Sequence, residues 1–89
     1  MTTASELQLR VWIEDVWDTV AITAAPDWPV GRVKEEALRT GLGFRVDPSR
    51  YEVKFRGAVV TNEQSSLADL GVPTRAALAV LATVRRPVR

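Results

Sequence analysis

The hydrophobic period of this chain changes twice along its length, and the order of those changes constrains the fold more than any single motif. Leu7-Gln8-Leu9-Arg10-Val11-Trp12-Ile13 alternates apolar and polar residues, and Thr19-Val20-Ala21-Ile22-Thr23-Ala24 does so again. Successive side chains of a strand point to opposite faces, so Leu7, Leu9, Val11 and Ile13 share one face, as do Val20, Ile22 and Ala24. The polar stretch 14–18, interrupted by Val16 and Trp17, is a short connector, and the whole predicts a hairpin. The period then becomes helical: Val30, Val33, Ala37 and Leu38 form a stripe of three, four and one. Pro29 suits the first helical position, with Trp28 as N-cap and Asp27 near the positive end of the helix dipole. Glu35 and Arg39 stand at i,i+4 in the favourable order, and Gly41 and Gly43 bracket the exit.

The period of two then returns. A loop through Asp47-Pro48 leads to a third alternating strand, Tyr51-Glu52-Val53-Lys54-Phe55, which Arg56-Gly57 turns into a short fourth strand at Ala58-Val59-Val60. Ser66-Leu67-Ala68-Asp69-Leu70-Gly71 has a hydroxyl, an acid three residues later and a closing glycine, the pattern of one capped helical turn. Val72-Pro73-Thr74 breaks it. The run 77–84 is the most apolar of the chain and predicts a central strand. The expected organisation is a flexible N-terminus at 1–6, one α+β domain at 7–84 and a basic tail at 85–89.

Composition removes most chemistry. A chain of 89 residues and 9.8 kDa has room for one domain. There is no cysteine and no histidine, so disulfides, thiol catalysis, Ser-His-Asp hydrolysis and the commonest metal ligand are all missing. Glu14, Asp15 and Asp18 lack the glycine and the terminal bidentate glutamate of a calcium loop, and Gly41-Leu42-Gly43 leaves a helix where a phosphate cradle would open one. The expectation is a protein that is not an enzyme and uses no cofactor and no metal. No apolar run approaches the length of a membrane span, and the first residues lack the regions of a signal peptide, which predicts a cytoplasmic protein. Residues 1–31 carry Glu6, Glu14, Asp15, Asp18 and Asp27 against Arg10, whereas 71–89 carry Arg75, Arg85, Arg86 and Arg89 with no acid. A net charge of +1 is no domain-wide basic footprint, so nucleic acid is not an expected partner. Lys34 and Lys54 are the lysines among many arginines, a bias that suggests a GC-rich bacterial genome.

The order hairpin, helix, strand pair, short turn and final strand resembles ubiquitin and its β-grasp relatives. Val30-x-x-Val33-Lys34 looks like the start of their central helix, Phe55-Arg56-Gly57 like the turn after their third strand, and Leu67-x-Asp69-x-x-Val72 with Leu78-x-Val80 like their short turn and last strand. The resemblance implies a mixed sheet of four to five strands packed on one helix, with the last strand parallel beside the first and Lys34 partly buried. It also places Arg85 and Arg86 near Glu14, Asp15 and Asp18, as a self-neutralising surface pair. Ubiquitin-like modifiers and sulfur carriers end in Gly-Gly, which an activating enzyme's narrow channel demands. The matching stretch here reads Arg86-Pro87 and continues to Val88-Arg89, so the resemblance implies a chain that is not conjugated.

By the same resemblance the working surface is the sheet face away from the helix, where Gln8, Arg10 and Trp12 meet Ala79, Leu81 and Thr83, then Glu52, Lys54 and Arg56. Lys54 stands where ubiquitin has its central isoleucine and Ala79 where it has histidine, while Leu81 keeps an apolar position. An exposed Trp12 flanked by Arg10, Lys54, Ala79 and Leu81 is the expected protein-binding site; the alternative is a Trp12 that lies across its neighbours as a lid or simply sits exposed, as single apolar residues often do. Trp17 and Trp28 are lesser candidates, Trp28 as a side chain packed at the helix entrance and Trp17 on the hairpin loop as either a staple or a contact. The implied function is a protein-interaction module, monomeric or weakly self-associating, similar to the small ubiquitin-like components of type VII secretion. The alternatives are a covalent modifier or sulfur carrier with a divergent or processed tail, and an accessory subunit of a multicomponent enzyme.

Overall fold

In the structure, a computed structural model, residues 6–43 and 46–83 are described. The first alternating run is strand β1, Leu7–Ile13, with Leu7, Leu9, Val11 and Ile13 buried as its pattern requires. Strand β2, Asp18–Ala24, pairs with it antiparallel in unbroken register from Ile13↔Asp18 to Leu7↔Ala24. A 3-10 turn at Glu14–Val16 joins the two, closed by Trp17 at φ 53°, whose N–H donates to the Glu14 carbonyl at 3.2 Å. The helical stripe becomes α1, Val30–Leu42, which buries Val30, Val33, Ala37 and Leu38 against the sheet. Strands β3 (Tyr51–Phe55), β4 (Ala58–Val59) and β5 (Ala77–Ala82) follow. Arg56 and Gly57, both at positive φ, make the two-residue turn that the twist of a β3–β4 hairpin favours.

The sheet runs β2-β1-β5-β3-β4, with β5 parallel to β1 and antiparallel to β3. The five-stranded mixed sheet on one helix is the expected α+β architecture. Ser66 caps its turn as predicted, its hydroxyl accepting from the Asp69 N–H at 3.0 Å. Leu67 from this turn and Val72 beyond it close the far end of the core.

The entrance to α1 departs from the expected cap by one residue. The N-cap is Pro29, not Trp28, and no side chain caps it. The carbonyls of the 60–66 loop replace a side-chain cap: Val30 N–H donates to Ser65 at 3.0 Å and Gly31 N–H to Glu63 at 2.9 Å. Donors that a helix leaves unpaired are thus satisfied by a distant segment, which local spacing could not reveal. Asp27 lies outside the first turn. Trp28 is half-buried against the core with the Arg32 guanidinium 3.9 Å from its ring centre, the packing role expected of it. Arg39 forms an ion pair with Glu36, at i,i+3 and 3.1 Å. Strand β5 ends at Ala82, short of the predicted 84, and Thr83 turns to the Arg50 carbonyl with both its N–H and its hydroxyl. The tail arginines, and with them the expected pairing of Arg85 and Arg86, lie outside the described residues.

Lys34 is the one charged residue buried among the described core positions. Its ammonium meets Glu63 Oε1 at 2.6 Å and donates to the Tyr51 carbonyl at 3.0 Å, joining α1, the 60–66 loop and β3. A buried charge stripped of its partner retains its desolvation cost, so Glu63→Gln should lose about 2 kcal/mol of stability. Lys34→Met in the same chain should recover part of that loss, since it removes the charge that needed solvating; urea unfolding of the double-mutant cycle measures both. Gly41 poses a second packing test. A Cβ there would meet Ile13 Cδ1 at 2.5 Å. Gly41→Ala should therefore destabilise despite alanine's helix propensity, and Ile13→Val, which deletes that methyl, should tolerate the alanine at no further cost.

Candidate functional site

The sheet has one face on α1 and one open. Strand register lines up the outward side chains across the middle of the open face: Thr19, Trp12, Ala79, Lys54 and Val59, one from each strand. Arg10 lies in the next row between Ala21 and Ala77, and Leu81 lies beside Glu52 on the other side. All five expected residues, Arg10, Trp12, Lys54, Ala79 and Leu81, therefore share this face. The alanines at 21, 77 and 79 leave a shallow floor between two cationic side chains, with Trp12 and Leu81 as its apolar rim. Such a surface offers hydrogen-bond donors, positive charge and apolar contact.

Trp12 is not the exposed tryptophan that the sequence suggested. It is half-buried, because Trp17 from the connector stands edge-on to it, ring centres 5.6 Å apart and planes at 89°. Trp17 itself is 79% exposed, the most open large apolar side chain described. A left-handed backbone at position 17 swings it out of the strand alternation, and no local pattern announces that conformation for a tryptophan. Val59, 41% exposed, extends the row past Lys54. It escaped the sequence reading because Ala58-Val59-Val60 is apolar throughout; only the fold shows Val60 packed on the core and Val59 turned away. Arg56 leans over Phe55, 5.0 Å from its ring centre. Gln8 accepts from Thr23 at 3.0 Å at the other end of the hairpin.

Acidic residues ring the connector. Asp15 accepts from the Tyr51 hydroxyl at 2.5 Å, and Asp18 accepts from the Thr19 N–H at 2.8 Å. Among the described residues no three His, Cys, Asp or Glu side chains converge as a metal site would. On the helix side, a cavity of about 240 Å³ opens between the end of α1 and the turn at Pro48, lined by Glu35, Leu38, Arg39, Gly43, Val46 and Pro48. The turn is held by Asp47, whose carboxylate accepts from the hydroxyl and the N–H of Ser49; those two bonds keep its pKa below the usual carboxylate value.

The sequence matches no protein-family model and no curated protein. The fold, by contrast, is well represented among solved structures: the chain has the ubiquitin-like β-grasp fold. It is similar to the ubiquitin of Caldiarchaeum subterraneum, with a TM-score of 0.76 at 13% identity over 93% of this chain and 100% of that one. A designed protein based on ubiquitin matches with a TM-score of 0.75 at 15% identity, covering 94% of this chain and 96% of that one. The ubiquitin-like domain of yeast Ddi1 matches with a TM-score of 0.72 at 17% identity, covering 98% and 99%. Among the described residues no helix is long and apolar enough to cross a membrane.

The bond between Tyr51 and Asp15 has a measurable consequence. Donation to a carboxylate requires the protonated phenol, and a phenolate would face that carboxylate's charge, so the pKa of Tyr51 is pushed up to about 12 from 10.0. A raised folded-state pKa contributes stability that is complete below pH 10 and disappears as pH rises through 12. Tyr51 is the sole tyrosine, so ultraviolet absorbance titrates it directly and should place its midpoint near 12. Tyr51→Phe should cost about 1 kcal/mol at neutral pH, discounted for solvent access. The difference from the parent protein should vanish at the alkaline end of that range.

Proposed function

We propose that this chain is a non-catalytic protein-docking module that engages its partner through the open sheet face. The observation that carries this reading is the row Trp12, Ala79, Lys54 and Val59, bordered by Arg10, Leu81 and Trp17, on the one face that α1 leaves uncovered. Trp and Arg are the residues most enriched where binding energy concentrates, and small residues between them admit a partner's side chains. The absence of histidine and cysteine agrees with binding rather than chemistry. The arginine bias supports a bacterial source, and the resemblance to small ubiquitin-like components of secretion supports a role as accessory to a secretion or other multi-protein assembly in the cytoplasm. Lys54, where ubiquitin has an apolar residue, argues against receptors built for ubiquitin itself, since a lysine desolvated without a partner is costly.

An N-terminally tagged copy expressed in its host and recovered under native and denaturing conditions in parallel tests the reading. A partner that vanishes on denaturation should be recovered at least about tenfold less by Arg10→Glu, Lys54→Glu or Leu81→Glu, with circular dichroism unchanged. Glu35→Ala on α1 should leave recovery intact. Adducts that survive denaturation would instead mean covalent transfer through a processed or divergent tail. Equal recovery by the face variants would overturn the assignment of the face.

A further inference from the structure

The outer edge of β2 carries backbone groups that the rest of the fold does not take up. Gln8 N–H donates to the Thr74 hydroxyl, the Gln8 carbonyl accepts from the Arg75 N–H, and Arg10 N–H donates to the Ala76 carbonyl. Even-numbered residues of β1 therefore turn their backbone toward β5, and odd-numbered residues turn theirs toward β2. Those odd-numbered residues, Leu7, Leu9, Val11 and Ile13, stand opposite Ala24, Ile22, Val20 and Asp18. The backbone of Thr19, Ala21 and Thr23 is thus left pointing away from the sheet. Thr19 N–H donates to the neighbouring Asp18 carboxylate at 2.8 Å. Among the described residues no acceptor meets the N–H of Ala21 or of Thr23, and both residues are exposed.

A long free edge usually carries a device against pairing: a proline, a bulge, an inward charge or a lysine. The opposite edge, β4, is only two residues long. Strand β2 has seven residues, and its stretch Thr19-Val20-Ala21-Ile22-Thr23-Ala24 holds no proline and no charge and keeps unbroken register with β1. The stretch is also its own complement. In an antiparallel ladder, hydrogen bonds pass between residues whose backbones both face the gap. A two-fold axis at Ala21 sets Ala21 against Ala21 of the other copy and Thr19 against Thr23, all of them gap-facing positions. The alanines exchange bonds with each other, and each Thr23 N–H reaches the Thr19 carbonyl across the axis while Thr19 N–H stays on Asp18. Val20 falls beside Ile22 on the helix side, threonine beside threonine on the open side, and Asp18 opposite Ala24, so no like charges meet. We propose that β2 pairs with β2 of a second copy, antiparallel about a two-fold axis at Ala21, to make one continuous sheet through both chains. Any extended peptide would find the same backbone groups, but this symmetric placement of side chains selects a second copy. A single strand pair buries less than a standard interface, so the dimer is weak, with a Kd on the order of 0.1 mM. The pairing uses the strand edge and leaves both open faces uncovered, side by side.

Sedimentation equilibrium of the full chain from about 10 μM to about 1 mM should show a reversible monomer–dimer exchange. Ala21→Glu places like charges against each other on the axis and should weaken the dimer at least about tenfold, as should Ala21→Lys. Circular dichroism should stay unchanged in both, because position 21 is exposed. Mixing the two variants should restore a dimer made of one of each, since a residue on a two-fold axis meets only its own copy. Lys54→Glu, three strands away on β3, should leave association as in the parent protein. Amide exchange by nuclear magnetic resonance reads the same pairing without a substitution: the Ala21 and Thr23 N–H groups should exchange more slowly as concentration rises. A parent protein that stays monomeric at about 1 mM would overturn the proposal and leave the edge to an extended segment of another protein. Variants that associate as well as the parent would overturn it, as would a mixture no more associated than its components. Exchange at Ala21 and Thr23 that ignores concentration would do the same.

Discussion

The structure depends on how one buried lysine is neutralised. Lys34 sits on the inward side of α1, where a charge without a partner would cost more than a small core returns. Glu63 and the Tyr51 carbonyl meet it from two other parts of the chain. The 60–66 loop has almost no apolar anchor of its own, and Glu63 holds it against α1 twice, by its carboxylate to Lys34 and by its carbonyl to the Gly31 N–H. The loop in turn supplies acceptors for the first turn of the helix. The ion pair therefore ties together the start of α1, the returning loop and the start of β3, beside the backbone bonds from Val30 to Ser65 and from Leu67 to Trp28.

Tyr51 extends that arrangement to the surface. Its carbonyl accepts from Lys34 on the core side and its hydroxyl donates to Asp15 at the hairpin tip. A line of polar contacts, Glu63 to Lys34 to Tyr51 to Asp15, thus crosses the domain from the helix entrance to the connector that carries Trp17. The tip is otherwise a 3-10 turn with a left-handed tryptophan and no buried residue, and such a turn has little reason to hold one position. The tyrosine gives it one. The candidate face and the core are consequently linked: the residue that meets Lys34 also holds the segment carrying Trp17, the most exposed large apolar side chain among the described residues.

What was legible in the sequence follows from what local patterns encode. Strand alternation in β1 and β2 named the buried face residue by residue, because a one-residue slip would expose every apolar side chain. The capped turn at Ser66 and the Arg56-Gly57 turn were legible for the same reason, since each is settled within a few residues. The helix start was missed by one position because its cap is made by carbonyls more than thirty residues away. The exposure of Trp17 was open in the sequence for a related reason: a backbone excursion to positive φ is invisible to a period-two reading, and it decides how far that ring faces solvent. Val59 shows the limit on the open face, where an unbroken apolar run gives no alternation to read.

Similar backbones at 13–17% identity, with TM-scores of 0.72–0.76, show how little of a sequence this fold specifies. The requirement is an inward set of aliphatic residues at strand and helix periods, with turns that permit the register. Outward positions are free to change, and Lys54, Ala79 and Trp17 are outward positions. A fold shared by many functions assigns none of them, so what distinguishes this chain lies in those side chains and not in the β-grasp itself. Here they divide into two zones of opposite character: a basic, small-residue floor around Arg10 and Lys54, and an acidic aromatic tip at residues 14–18. A partner for the first should be apolar or anionic, and an occupant for the second should be cationic. A partner that reached from the face onto the tip would have to present unlike chemistry to each zone.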